Sequence, residues 1–229
     1  MNVTEAVRSR LSCRAFLDTP VPESVVREIL DAARWAPSGG NLQPWRVHVL
    51  TGAPLKDLIE RISPRYHLLP KGEGPDYQVY PHPLREPYHG RRFKCGADLY
   101  AALGIPREDK AGRYRQFARN FTFFGAPVGI FVSIDRQMGP PQWADAGMFV
   151  QTIMLLAREH GLHSCAQEAW TYWHETVAQV LDLPDELIMY CGIALGYADM
   201  DDPVNGWRTE RAAVDELAEF RGFEAAPAE

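Results

Sequence analysis

Two apolar runs in the second half of the chain limit its architecture more than anything else in the sequence. Val128 to Ile134 is nearly continuously apolar, which fits a buried strand rather than one with a wetted face. Ile188 to Tyr197 is the strongest strand candidate of all. Between them, Trp143, Ala146, Gly147, Val150, Ile153, Met154 and Ala157 recur at helical spacing and predict a long helix ending at Gly161. Leu162 to Ala166 reads as a short strand. Val177, Val180 and Leu181 mark a helix stopped near Pro184.

The first half is more broken. Thr4 is a candidate cap for a short helix reaching about Arg10. Pro22 opens a second helix with Val25, Val26, Ile29, Leu30 and Ala33 on one face, and Pro37 stops it. Val47 to Leu50 reads as a short strand, with Trp45, Val47 and Val49 on one side. Leu55, Leu58, Ile59 and Ile62 follow as an amphipathic helix ended at Pro64. From Pro64 to Gly90 six prolines and the aromatics Tyr66, Tyr77, Tyr80 and Tyr88 make a long loop, of the kind often used as a lid or binding loop. Helical patterns follow near Arg92–Leu103 and Glu108–Phe121, and a polar tail with a possible short helix at Asp215–Phe223 closes the chain. No repeat or composition break divides the sequence, so alternating helices and short strands suggest one α/β or α+β domain over 1–229.

Composition narrows the class. The 229 residues carry a net charge of -6, which argues against a bulk nucleic-acid binder, since phosphate neutralisation needs a positive surface. No apolar run approaches the ~18 residues of a membrane span, and Glu5, Arg8 and Arg10 spoil a signal peptide. Cys13, Cys95, Cys165 and Cys191 are widely spaced and read as reduced packing residues. The expectation is a soluble, cytoplasmic protein. The charge is uneven: Leu84 to Arg119 holds nine cations against four anions, a local +5.

Several common chemistries find no support. Neither G-x-G-x-x-G nor G-x-x-x-x-G-K-[ST] is present, and Gly192 and Gly196 fit close packing inside a strand. His174-Glu175 lacks the second histidine of a zinc helix because position 178 is Ala. His160 and His163 straddle Gly161, so no metal is expected. Ser38 sits outside any G-x-S-x-G.

Three segments carry binding chemistry. Arg10, Ser12 and Arg14 alternate, so in an extended stretch they point the same way and suit a phosphate beside a second anionic group. Pro37-Ser38-Gly39-Gly40-Asn41-Leu42-Gln43-Pro44-Trp45 combines permissive glycines with the amides of Asn41 and Gln43, fit for the polar edge of a heterocycle or for an ordinary turn. Gln167, Glu168, Ala169 and Trp170 leave a strand and enter a loop with free backbone N–H groups, while Arg208 and Arg211 add two cations or two solvated surface charges.

Together the three segments resemble the FMN-dependent nitroreductase family, from Val3 to about Phe223. The stretch Gln116–Phe121 through Gly125–Pro127 looks like its nitrobenzoate-reductase branch. The resemblance implies a three-layer α/β/α form of the α+β class, with a mostly antiparallel central sheet, in an intertwined homodimer. It implies that Arg10 binds the FMN phosphate with Arg211 and Arg208, and that Ser12 contacts the ribityl or pyrimidine side. Arg14 would lie near N1 and the C2 oxygen. Gln167, Glu168 and Ala169 would form the loop whose backbone N–H faces N5, Ala169 standing where many relatives have Gly. Pro37, Ser38, Gly39, Asn41 and Gln43 would come from the partner subunit. NADH or NADPH would reduce the flavin and a nitroaromatic reoxidise it in a ping-pong cycle that needs no side-chain acid or base. Trp170, Phe123 and Phe124 are candidate walls for a small aromatic substrate, with the insert at about 64–121 forming part of its pocket. Reductive dehalogenation, enone reduction and non-enzymatic flavin binding are the alternatives.

Overall fold

Four strands form one antiparallel sheet in the order β1-β2-β4-β3: β1 (Trp45–Thr51), β2 (Val128–Asp135), β3 (His163–Gln167) and β4 (Leu187–Gly196). The protein is seen here as a computed structural model that describes residues 1–69 and 71–223. Pro70 and residues 224–229, part of the expected 1–229 domain, lie outside the described residues.

Side chains alternate across the two central strands. Val128, Ile130 and Val132 of β2, with Ile193 and Leu195 of β4, pack under α2 (Glu23–Ala33) and α6 (Pro140–Glu159). Phe131, Met189 and Ala194 face the other way, against α3 (Gly52–Ile62), α7 (His174–Leu181) and a 3-10 turn at Glu168–Trp173. Helices thus cover both faces, which is why the β2 sequence shows no alternation. Trp45 of β1 stacks on Phe149 of α6, ring centroids 4.6 Å apart. Val47 joins the same cluster, but Val49 stays exposed on this edge strand. The fold is the expected α+β three-layer form.

Helix boundaries follow local chemistry. α1 (Val3–Ser9) is capped by Asn2 rather than Thr4. Glu5 N–H donates to Asn2 Oδ1 and Asn2 N–H donates to Glu5 Oε2, both at 2.9 Å, a reciprocal box that Thr4 cannot make. α2 stops at Ala33, well before Pro37. Gly161, with φ +73°, turns the chain out of α6.

The Pro-rich segment is pinned to the body. The buried Glu73 carboxylate accepts from the N–H groups of Glu175 and Thr176 at 3.0 and 3.1 Å and from Arg65 at 3.0 Å, so it also caps α7. Asp76 receives both terminal nitrogens of Arg136, and Tyr77 donates to the Tyr190 carbonyl at 2.5 Å. α4 (Tyr88–Ala102) then begins earlier than the Arg92 expected from the pattern, and α5 (Lys110–Ala118) ends before Phe121. A 3-10 stretch at Arg119–Gly125 leads into β2. Among the described residues of the tail, Val214–Leu217 forms the one α-helical turn (α8).

The sheet glycines seat aromatic rings. A Cβ on Gly192 would lie 2.3 Å from Trp170 Cδ1, and one on Gly129 would lie 2.7 Å from Phe123 Cε2. Phe123 and Trp170 are fully buried and 4.5 Å apart between centroids. Their expected role as pocket walls is therefore corrected: large apolar rings that close over bare strand backbone leave no face for a ligand. Phe124 is also buried but borders a cleft.

Among the described residues no helix is long and apolar enough to cross a membrane. All four cysteines are free thiols, Cys13, Cys165 and Cys191 buried and Cys95 exposed.

Gly192→Ala should lower stability by about 1–3 kcal/mol through overpacking against Trp170. Urea unfolding checks this, and an unchanged midpoint would contradict the packing described.

Candidate functional site

The site begins with backbone. After α1 the chain runs extended, and Ser12 pairs in parallel with Ser164 of β3. Cys13 N–H donates to the Ser164 carbonyl at 3.0 Å, and Leu17 N–H to the Tyr197 carbonyl at 2.9 Å. Leu11, Cys13 and Ala15 point into the core, which leaves Arg10, Ser12 and Arg14 on the opposite side.

Asn205 locks this strip to the tail. Its Oδ1 accepts from Arg14 N–H at 2.8 Å, and its Nδ2 donates to the carbonyls of Ala15 and Asp199 at 2.8 and 2.7 Å. The residue is almost wholly buried. Val204 and Asn205 sit in a short turn capped by Asp202, which delivers Arg208 and Arg211 beside Arg10. Arg208 donates to the carbonyls of Arg10 and Ser9 at 2.8 and 3.2 Å.

The result is a cleft of about 470 Å³ lined by Arg8, Arg10, Ser12, Arg14, Arg208 and Arg211, with no carboxylate in its wall. Among the described residues none of these five arginines forms a salt bridge. Burial, and then the guanidinium groups of Arg211 and Arg208, lower the Arg10 pKa below its usual range. His163 adds no proton to this field. Burial, with Arg158 and Arg208 nearby, pushes it down to about 4, so its neutral Nδ1 accepts from Arg158 at 3.1 Å. Clustered guanidinium groups without carboxylate partners have the chemistry that suits a multiply charged anion.

Arg14 also lines a second cleft, of about 330 Å³. Its aromatic walls are Tyr80, Tyr100, Phe117, Phe124 and Tyr172, and Arg92, Gln116 and Asn120 add polar groups. Phe123 and Phe124 turn through left-handed backbone at φ 50° and 56°, a costly conformation that carries one ring into the core and the other to the cleft. Along the floor lie Ala166, Gln167, Glu168 and Ala169. Glu168 and Ala169 open the 3-10 turn, where the first N–H groups have no partner within the turn. Gln167 is committed internally: its Nε2 donates to the Asn120 carbonyl at 2.8 Å, and its Oε1 accepts from Trp170 at 3.4 Å. It positions the wall rather than offering its amide to a ligand.

Two of the three segments flagged by sequence therefore meet, and the third does not. Pro37, Ser38, Gly39, Asn41 and Gln43 line neither cleft. They form a turn at the start of α6, where Gly39 N–H donates to Asp145 at 3.1 Å and Gln43 N–H to Ser38 Oγ at 2.9 Å. Gly40, Asn41 and Gln43 all take positive φ, and exposed Trp35 and Leu42 flank them.

Sequence reasoning gave no role to Asn205, at the edge of the flagged stretch Asn205–Arg211, nor to Tyr100 and Tyr172. Nothing distinguishes one asparagine in a polar tail. Tyr80 and Phe117 fall within stretches already marked as aromatic or branch-like. Among the described residues no cluster of three metal-ligating side chains exists.

Known proteins resemble this chain in sequence and in fold. The sequence model of the nitroreductase family matches residues 7–197. The chain is 38% identical to the nitrobenzene nitroreductase of Ectopseudomonas oleovorans, over 95% of this chain and 96% of that protein. It is 39% identical to the 4-nitrobenzoate reductase of Pseudomonas putida, covering 95% of each. Among solved structures, the FMN and NADPH-dependent nitroreductase NfnB from Sphigopyxis sp. strain HMH superposes with a TM-score of 0.94 at 46% identity, covering 97% of this chain and 100% of that one.

Asn205→Ala removes one acceptor and two donated bonds from buried backbone groups. It should cost about 1–3 kcal/mol in urea unfolding; inorganic phosphate should raise the melting temperature of the wild type and not that of the variant. Full retention of both would contradict its role as the lock of the arginine strip.

Proposed function

The chain belongs to the nitroreductase family, and from that premise we propose that it binds FMN and uses NADPH or NADH to reduce nitroaromatic compounds in a ping-pong cycle. The observation that carries this reading is that Arg14 lines both clefts. An acid-free arginine cleft suits a phosphate, and an aromatic slot with free backbone N–H groups suits a flat heterocycle. FMN has both ends. When bound, it supplies two-electron transfer, accepting from the reduced nicotinamide and then giving to the aromatic that replaces it.

The chain's own residues hold and polarise. Arg10, Arg208 and Arg211 would grip the phosphate, and Ser12 would contact the linking polyol. Arg14, common to both clefts, would supply positive charge near the ring, which would favour the more negative redox state. The N–H groups of Glu168 and Ala169 would orient the ring edge. Tyr80, Tyr100, Phe117, Phe124 and Tyr172 keep the slot narrow, so the insert at 64–121 forms part of the substrate pocket within a single 1–229 domain. No side-chain acid or base is required.

A second copy completes the site. The Pro37–Gln43 turn, with permissive backbone and exposed apolar neighbours, would reach the cleft of a partner, making the working unit a homodimer. Free thiols and a need for reduced nicotinamide imply the cytoplasm.

The purified protein should be yellow, bleach within seconds of anaerobic NADPH or NADH addition, and recover its colour on adding 4-nitrobenzoate. A protein that cannot take up FMN, or whose flavin is not bleached by either nucleotide, would overturn the proposal.

A further inference from the structure

A second acid-free depression adjoins the aromatic slot along α4. It measures about 750 Å³ and shares Tyr80, Arg92, Leu99 and Tyr100 with the slot. Three arginines line it, and each lies over a ring: Arg92 over Tyr80 at 4.3 Å, Arg107 over Phe93 at 5.5 Å and Arg113 over Tyr100 at 3.6 Å. Their neighbours along the chain pair elsewhere, Asp98 with Lys94 and Glu86 with His89. Asp109 is turned inward to cap α5. Among the described residues no carboxylate bridges the three guanidinium groups.

This arrangement is specific in its chemistry. A guanidinium laid on an aromatic face keeps its in-plane N–H groups directed outward, in the fork that matches a phosphate. Ring contact also restrains the side chain, so less freedom is lost when an anion binds. The groove carries net positive charge, and apart from Cys95 its lining is distinct from that of the five-arginine cleft assigned to FMN. Its own aromatics offer a surface for a base.

We propose that this groove holds the adenosine 2′-phosphate half of NADPH, so that the chain prefers NADPH to NADH. This rests on the reading that the adjoining slot receives the nicotinamide. The two nucleotides differ only at the 2′ position, where NADPH carries a phosphate with about two negative charges near pH 7. Arg107 and Arg113 lie outside the slot lining and are the discriminating pair. Arg92, common to both cavities, stands where the diphosphate would pass.

The test uses FMN-loaded protein and calorimetric binding of 2′,5′-ADP against 5′-AMP, which carry no nicotinamide. Wild type should bind 2′,5′-ADP at least about tenfold more tightly. Arg107→Ala/Arg113→Ala should erase that difference while leaving the flavin absorbance per chain unchanged, and Arg107→Lys/Arg113→Lys should keep part of it. In anaerobic stopped-flow, the NADPH-to-NADH ratio of flavin reduction rates should fall in the same order. Equal binding of the two probes by wild type would overturn the proposal, as would unchanged 2′,5′-ADP binding in the Ala variant. If the Ala variant does not fold, the Lys variant and the wild-type probe comparison decide. Nitroaromatic reduction by dithionite-reduced protein needs no dinucleotide. Its absence would sink the functional reading, whereas its presence alongside equal probe binding would sink this inference alone.

Discussion

Five guanidinium groups share one cleft with no carboxylate to balance them, and like charges at such range repel. Something must hold them together against that repulsion. Here the force is supplied by backbone pairing: Ser12 with Ser164, Phe16 with Ala198, and the buried amide of Asn205 with Arg14, Ala15 and Asp199. The core side of the strip, Leu11, Cys13 and Ala15, is buried, so apolar packing fixes what electrostatics would scatter. A dianion bound there would relieve the repulsion.

The sheet serves this arrangement from below. β4 contributes bare backbone at Gly192, Trp170 closes over it, and the rigid aromatic layer that results supports the Glu168–Ala169 turn from the core side. Gln167 ties that turn to Asn120, and the left-handed corner at Phe123 and Phe124 carries the wall into β2. Trp170 and Phe123, expected from sequence as pocket walls, lie one layer deeper, beneath the rings that line the cleft.

Much of this was legible in the sequence, and the limits are physical. The apolar run Val128–Ile134 announced a strand covered on both sides, and the alternation Arg10, Ser12, Arg14 announced one charged face, because both are local periodicities. Burial of Trp170 was not legible, since a tryptophan beside a glycine-containing strand reads equally as wall or core until the strand pairing is known. The cap moved from Thr4 to Asn2 because two residues cooperate in it. Asn205 acts over 191 positions in sequence on Arg14, and no local pattern signals that. The Pro37–Gln43 turn lies apart from both clefts within one chain, and no local pattern reports such a distance.

An arginine cleft that selects the phosphate of a flavin makes affinity depend on that phosphate. The direct measurement is the dissociation constant of the apoprotein for FMN and for riboflavin, which lacks only the phosphate, read by quenching of flavin fluorescence. Two or more charge-assisted contacts predict FMN binding on the order of 100-fold tighter. Equal affinity for the two flavins would contradict the account.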